Sequence, residues 1–133
     1  MMGESFEKKP EGCPFCDPPE DRAIAQNDLA FVIRDRYPVT PLHALVIPKR
    51  HVSGFFDLWA PEMKACNDLL LLAKDATRKE DASVAGFNVG VNIGEAAGQT
   101  IFHCHIHLIP RRHGDVENPR GGVRHIIPGK GDY

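Results

Sequence analysis

The residues best equipped for chemistry stand in one run, Phe102-His103-Cys104-His105-Ile106-His107-Leu108-Ile109-Pro110. Three histidines alternate with apolar residues, and a period of two is the period of a β-strand. On such a strand His103, His105 and His107 share one face, with Cys104, Ile106 and Leu108 on the other. Imidazoles in a row gain little from packing, which leaves two chemical readings. In one, the three histidines ligate a zinc ion whose bound water does hydrolysis. In the other, one imidazole attacks phosphorus while its neighbours handle the charge and the proton of the leaving group. A free imidazole, with a pKa near ~6.5, is largely neutral at physiological pH and attacks without first losing a proton.

A second candidate set is Cys13-Pro14-Phe15-Cys16. A lone C-x-x-C reads as half of a zinc site, as a redox pair or as two incidental cysteines. Pro18 and Pro19 prevent the immediate helix that would activate a redox thiol, and zinc would need two further ligands from elsewhere. A third is Glu95-Ala96-Ala97-Gly98-Gln99-Thr100, directly before the histidine run. Backbone amides beside a hydroxyl and an amide side chain suit a phosphate, which needs donors more than net charge.

The elements that must position these groups follow from periodicity. Residues 23–25 and 29–33 read as short strands around the Asn27-Asp28 turn, and a proline-punctuated loop leads to a strand over 42–48. That strand turns His43, Leu45 and Ile47 to one face. Pro61 opens the one long helix, to about residue 80, with a core stripe of Met63, Cys66, Leu69, Leu70, Leu72, Ala73 and Ala76 or Thr77. Residues 86–94 alternate strictly, with Phe87, Val89, Val91 and Ile93 toward the core and Asn88, Gly90 and Asn92 on the face that a ligand would cover. The expectation is an α+β fold: a meandering antiparallel sheet of about five strands, one long helix and one or two short helices.

The chain has 133 residues and 42% hydrophobic content, which fits one domain. A net charge of −2 and a pI near 6.4 argue against nucleic acid or an anionic membrane as the main partner. The first residues lack the apolar stretch of a signal peptide, no run reaches membrane-spanning length, and four irregularly spaced cysteines do not make a disulfide framework. Cytoplasmic localisation is expected. Residues 1–11 read as a flexible arm, 12–112 as the domain and 113–133 as a C-terminal arm. Arg111, Arg112, Arg120, Arg124 and Lys130 could reach the far end of a polyphosphate or a partner subunit's site, and Arg34 and Arg36 are further candidates for phosphate contacts.

The run His103-Cys104-His105-Ile106-His107-Leu108-Ile109 resembles the signature of the histidine triad (HIT) family of nucleotide hydrolases and transferases, His-φ-His-φ-His-φ-φ with φ apolar. Residues 41–51, Pro41 to His51, resemble the family's second block, and Asn92 to Thr100 resemble its Asn-x-Gly-x-x-x-Gly-Gln-Ser/Thr run. The resemblance implies that His105 is a nucleophile toward an α-phosphorus, that His107 contacts the phosphoryl oxygens or leaving group, and that His43 supports the site. It implies Asp35 on the ribose and Asn92, Gln99 and Thr100 on the phosphates. Subsets of the family carry a structural zinc site whose positions here are Cys13, Cys16, His51 and His103, and the chemistry needs no catalytic metal. The implied substrates are dinucleoside polyphosphates, nucleoside phosphoramidates or adenylyl sulfates. The implied assembly is a homodimer that extends the sheet across the helix and an edge strand. A zinc hydrolase with all three histidines as ligands, and a nucleotide-binding scaffold without turnover, are the alternatives.

Overall fold

The structure, a computed structural model, describes residues 12–18 and 20–132, so the expected N-terminal arm at 1–11 lies outside the described residues. Strand β1 (Ala23–Gln26) pairs with β2 (Ala30–Arg34), and the turn between them is built by Asn27. Its Oδ1 accepts the backbone N–H groups of Leu29 and Ala30 at 3.1 and 2.9 Å, as an Asx turn requires. Strand β3 (Ala44–Pro48) pairs with β2, α1 (Ala60–Glu80) crosses one face, and β4 (Val84–Gly90) and β5 (Ile106–Arg112) complete the sheet. All pairings are antiparallel, in the order β1-β2-β3-β5-β4. The chain therefore goes to the far edge and comes back, placing β5 between β3 and β4.

Alternation divides the sheet into two faces. Val32, Ala44, Val46, Ile106 and Leu108 pack against Ala65, Cys66, Leu69 and Ala73 of α1. On the opposite face Phe31, Ile33, Leu45 and Ile47 are covered by Phe15, so the expected facing of Leu45 and Ile47 is met. Buried Cys66 and Cys104 act as small hydrophobes, since burial pushes their thiols up to about 11 and about 12.

Three expectations need correction. β3 starts at Ala44 rather than residue 42, because Leu42 adopts φ +72°, which breaks the ladder. Met63 and Leu72 do not belong to the core: they are 44% and 51% exposed, and the buried stripe runs through Glu62, Ala65, Cys66, Leu69, Ala73 and Thr77. β4 ends at Gly90 and is an edge strand, so Val89 is 50% exposed instead of core. Among the described residues, no helix is long and apolar enough to cross a membrane.

Glu62 lies in the buried stripe although it is charged. It is 2% exposed and clasps Arg50 through two contacts, Nε to Oε2 at 2.9 Å and Nη2 to Oε1 at 2.8 Å. It also accepts the Trp59 N–H at 2.8 Å, closing the first turn of α1. Burial pushes the carboxyl up, but Arg50 and the Trp59 amide more than offset this and hold it below its ordinary value. Arg50 stacks 3.9 Å over the Trp59 ring, and the pair fixes the segment between β3 and α1. Glu62→Ala strands a partly buried guanidinium, and should lower unfolding free energy by about 3 kcal/mol in urea denaturation; a loss under about 1 kcal/mol would show that the pair is only ornamental.

Candidate functional site

The histidine run does not lie wholly on a strand. β5 begins at Ile106, so His103 and His105 precede it. The segment is instead held by the Cys104 N–H donating to Val52 O at 2.7 Å, which draws it alongside residues 51–53. His103 is consequently turned into the protein with no exposed surface, while His105 and His107 remain half-buried. The three rings do not converge on one point. Among the described residues, the two groupings able to hold a metal are Cys13, Cys16, His51, His103 and Asp35, His43, His107, and His105 is in neither. A three-histidine metal site is thus ruled out by geometry.

The first grouping has the shape of a coordination sphere. His103 Nδ1 lies 3.5 Å from both Cys13 Sγ and Cys16 Sγ, His51 Nδ1 lies 3.8 and 3.3 Å from the same sulfurs, and the two nitrogens are 3.2 Å apart. Tetrahedral zinc with bonds of ~2.3 Å to sulfur and ~2.0 Å to nitrogen has edges of ~3.6 and ~3.3 Å. The proton positions agree. His103 Nε2 donates to Pro48 O at 2.7 Å, which leaves Nδ1 as a lone pair, and burial keeps this imidazole neutral by pulling its pKa down to about 4. Two sulfurs and a bare nitrogen facing one another make a donor set that could hold a metal ion. The residues between the cysteines serve a second purpose: Phe15 sets its ring edge-on to His103 and 5.0 Å from the ring of His105.

The second grouping is a hydrogen-bonded chain. The Val39 N–H donates to His43 Nδ1 at 3.1 Å, so the proton of His43 sits on Nε2, which points at His107 Nδ1 at 2.9 Å. His107 must then carry its own proton on Nε2, the end that is not engaged by His43. His105 has the opposite tautomer: Nδ1 donates to His103 O at 2.8 Å, leaving a lone pair on Nε2. One half-exposed ring thus offers an electron pair and its neighbour, with ring centroids 5.3 Å apart, offers a proton. Burial foremost, then the charges of His105 and His43, pull the His107 pKa down to about 4; burial also lowers that of His43 against the opposing pull of Asp35.

Other expected residues land differently. Asp35, expected on a ribose, has Oδ2 at 3.4 Å from His43 Nε2 and 4.0 Å from His107 Nδ1, while Oδ1 accepts the Tyr37 N–H at 2.8 Å. Its carboxylate faces the histidine pair. Gln99 does not present its amide to a phosphate: it is buried, its Oε1 accepts the Gly94 N–H, and its Nε2 donates to Ser53 O and Ile101 O. It braces the loop whose Thr100, like Asn92, is exposed. Arg34 donates to Leu42 O at 2.7 Å, Arg111 is clasped by Asp115 and Asn88, and Arg112 by Asp81, so these arginines hold the fold.

Sequence reasoning missed what the C-terminal arm does. It forms a compact knot around a short helical turn, Gly122–Ile126, with Gly121 at φ +93° against the Gly131 backbone and the His125 ring against Gly131. Residues of this knot line one side of an open groove of about 850 Å³ beside His43 and His107. The signal was the glycine spacing, which looks like a tail when read without its partner residues.

The HIT domain family profile matches residues 19–114, nearly three quarters of the chain. The chain belongs to the HIT family. A 16.1 kDa HIT-like protein of Mycoplasma pneumoniae is 36% identical over 105 residues, covering 74% of this chain and 71% of that one. An AP-4-A phosphorylase of Mycobacterium tuberculosis is 35% identical over 100 residues, but these are 73% of this chain and only 50% of that protein. The solved structure of a Zn-bound histidine triad family protein from Mycobacterium smegmatis superposes with a TM-score of 0.70 at 34% identity, covering 78% of each chain. The HIT family consists generally of nucleotide hydrolases and transferases.

Two outcomes follow from the geometry. Cys16→Ser should leave less than half the metal of the parent protein by elemental analysis and lower the urea midpoint, because a closed coordination sphere contributes directly to folding. Separately, His107 is held near pKa 4 against ~6.5 in an unfolded chain, so the unfolded state takes up its proton first on acidification. Stability is complete above about pH 6.5 and falls toward pH 4. His107→Asn should flatten that fall by up to about 1.4 kcal/mol per pH unit in parallel urea titrations, and an unchanged slope would contradict the burial argument.

Proposed function

We propose that this HIT protein is a nucleotide hydrolase or nucleotidyl transferase that cleaves the α-phosphate linkage of AMP-containing substrates, dinucleoside polyphosphates or nucleoside phosphoramidates, through a nucleotide bound covalently to His105. One observation carries the reading: the His103 carbonyl fixes the proton of His105 on Nδ1, so that Nε2 is a lone pair on an accessible ring. In this account Nε2 forms a bond to the α-phosphorus as the bond to the leaving group breaks; the leaving group departs with the electron pair, steadied by a hydrogen bond from His107 Nε2–H, and takes any proton it needs from solvent. Water then attacks the phosphorus, loses a proton to solvent, releases AMP with the electron pair of the P–N bond returning to Nε2, and leaves His105 in its starting tautomer.

His43 and Asp35 keep that proton on the right nitrogen of His107. Asn92 and Thr100, with the backbone amides of the loop that Gln99 braces, hold the phosphoryl oxygens. Cys13, Cys16, His51 and His103 would hold zinc, whose role is a crosslink with no open position for water. No step uses a catalytic metal. The exposed edge of β4 and the exposed Met63 and Leu72 of α1 suit the homodimer that extends the sheet, in a cytoplasmic protein.

The test is a rapid quench of protein mixed with an adenosine substrate labelled at the α-phosphate. Label should accumulate on His105 in the parent protein and be absent from His105→Asn, with turnover lowered at least about 10³-fold. Label on any other side chain, or turnover unaffected in the variant, would remove the nucleophile assignment.

A further inference from the structure

The four cysteines of the chain divide by how far a reagent can reach them. Cys66 and Cys104 are 2% and 1% exposed, closed to any soluble oxidant. Cys13 and Cys16 are half-buried, and their sulfurs lie within 4.8 Å of one another and of a ring nitrogen on each of His51 and His103. His103 is the buried member of this group, which leaves the two cysteines and His51 toward its outer side. Ligation of a metal keeps both thiols as thiolates, the form that attacks oxidants, without the helix that Pro18 and Pro19 deny this turn. A disulfide needs sulfurs about 2.05 Å apart, and the two in this turn are near enough to close to that by side-chain rotation and a small shift of the backbone. The residue that such a shift must move is Phe15. Its buried ring packs with Phe31, Ile33, Leu45 and Ile47 and lies 5.0 Å from the ring of His105.

We propose that Cys13 and Cys16 are a site of reversible oxidative modification, where hydrogen peroxide joins them as a disulfide, frees the zinc and draws Phe15 off His105. The metal and thiol parts stand apart from the covalent reading given above; the loss of turnover rests on it. One thiolate sulfur attacks a peroxide oxygen, the O–O bond breaks, and the sulfur becomes a sulfenic acid while the departing hydroxide takes a proton and leaves as water. The second thiolate attacks that sulfur, the S–O bond breaks, and the released hydroxide takes another proton to become a second water. Peroxide gains the two electrons that the pair of sulfurs loses. His51 and His103 then remain alone, half of a tetrahedral donor set. A dithiol reductant reverses the bond, after which the four donors are whole again.

The experiment treats the zinc-loaded 133-residue chain with hydrogen peroxide in the presence of a chromogenic zinc chelator. About one zinc per chain should be released as about two of the four thiols disappear. Peptide mass spectrometry should find the loss of two hydrogens on the peptide carrying Cys13 and Cys16, with Cys66 and Cys104 still reduced. Over the same interval kcat for an adenosine substrate should fall at least about tenfold while KM stays within about twofold, because Phe15 packs on the nucleophile, and dithiothreitol followed by zinc should restore it. Phe15→Leu keeps both cysteines; it should release zinc as the parent does, start from a lower kcat and lose less than about threefold on oxidation. Zinc retained under peroxide, thiol loss at Cys66 or Cys104, irreversible sulfonic acids in place of the disulfide, or a Phe15→Leu variant that loses as much kcat as the parent would overturn the proposal. If His105 is labelled while zinc stays bound under peroxide, only this inference fails; if zinc and thiols respond but no substrate labels His105, the covalent reading fails and the modification site stands.

Discussion

The arrangement of protons on four imidazoles is the constraint on which the rest of this molecule depends. Imidazole is symmetric in its chemistry, and either nitrogen can donate or attack; the fold removes that freedom with main-chain groups. Pro48 O fixes His103, His103 O fixes His105, and the Val39 N–H fixes His43, which in turn fixes His107. Backbone atoms in a sheet and its connecting loops do not rotate away, so each ring keeps one task. The same ring type thereby presents a bare Nδ1 at His103 and His107 and a bare Nε2 at His105 within a few ångströms.

Topology explains how so few residues suffice. Because the chain crosses to the sheet edge before returning, β5 is flanked by β3 on one side and β4 on the other. His43 and His107, far apart in sequence, thus become neighbours, and the glycine and asparagine face of β4 lies open beside them. The buried Arg50–Glu62 pair holds the connection from β3 to α1 in place, and His51 follows Arg50 directly. Anchoring the helix and placing His51 beside Cys13, Cys16 and His103 are therefore linked.

Much of this was legible in the sequence because periodicity reports burial. The alternation over 44–48 matches the two faces of β3, and the His and Cys motifs mark the side chains that the fold brings together. What escaped was set by tertiary context. Nothing in the alternation of residues 102–108 shows that the Cys104 amide pairs with Val52, so the expected strand begins at least three residues before β5 does. Glu62 carries no apolar signal, and its burial follows only from Arg50, which arrives from a different segment. Gln99 looks like a phosphate ligand because its amide has the right chemistry; only the fold shows that loop carbonyls claim it first. Met63, Leu72 and Val89 look like core residues because apolarity alone cannot distinguish a buried face from an unpaired one.

Phe15 carries a consequence for how this protein can vary. It sits between two cysteines whose sulfurs both lie against His51 and His103, and its ring also packs beside His105 and on Ile33 and Ile47. The two requirements fix the same tetrapeptide from opposite sides. Although this turn lies near the surface, where length changes are ordinarily tolerated, a one-residue insertion would displace either the cysteines or the ring. Drift in this lineage should therefore proceed by exchanging side chains within the turn, never by changing its length.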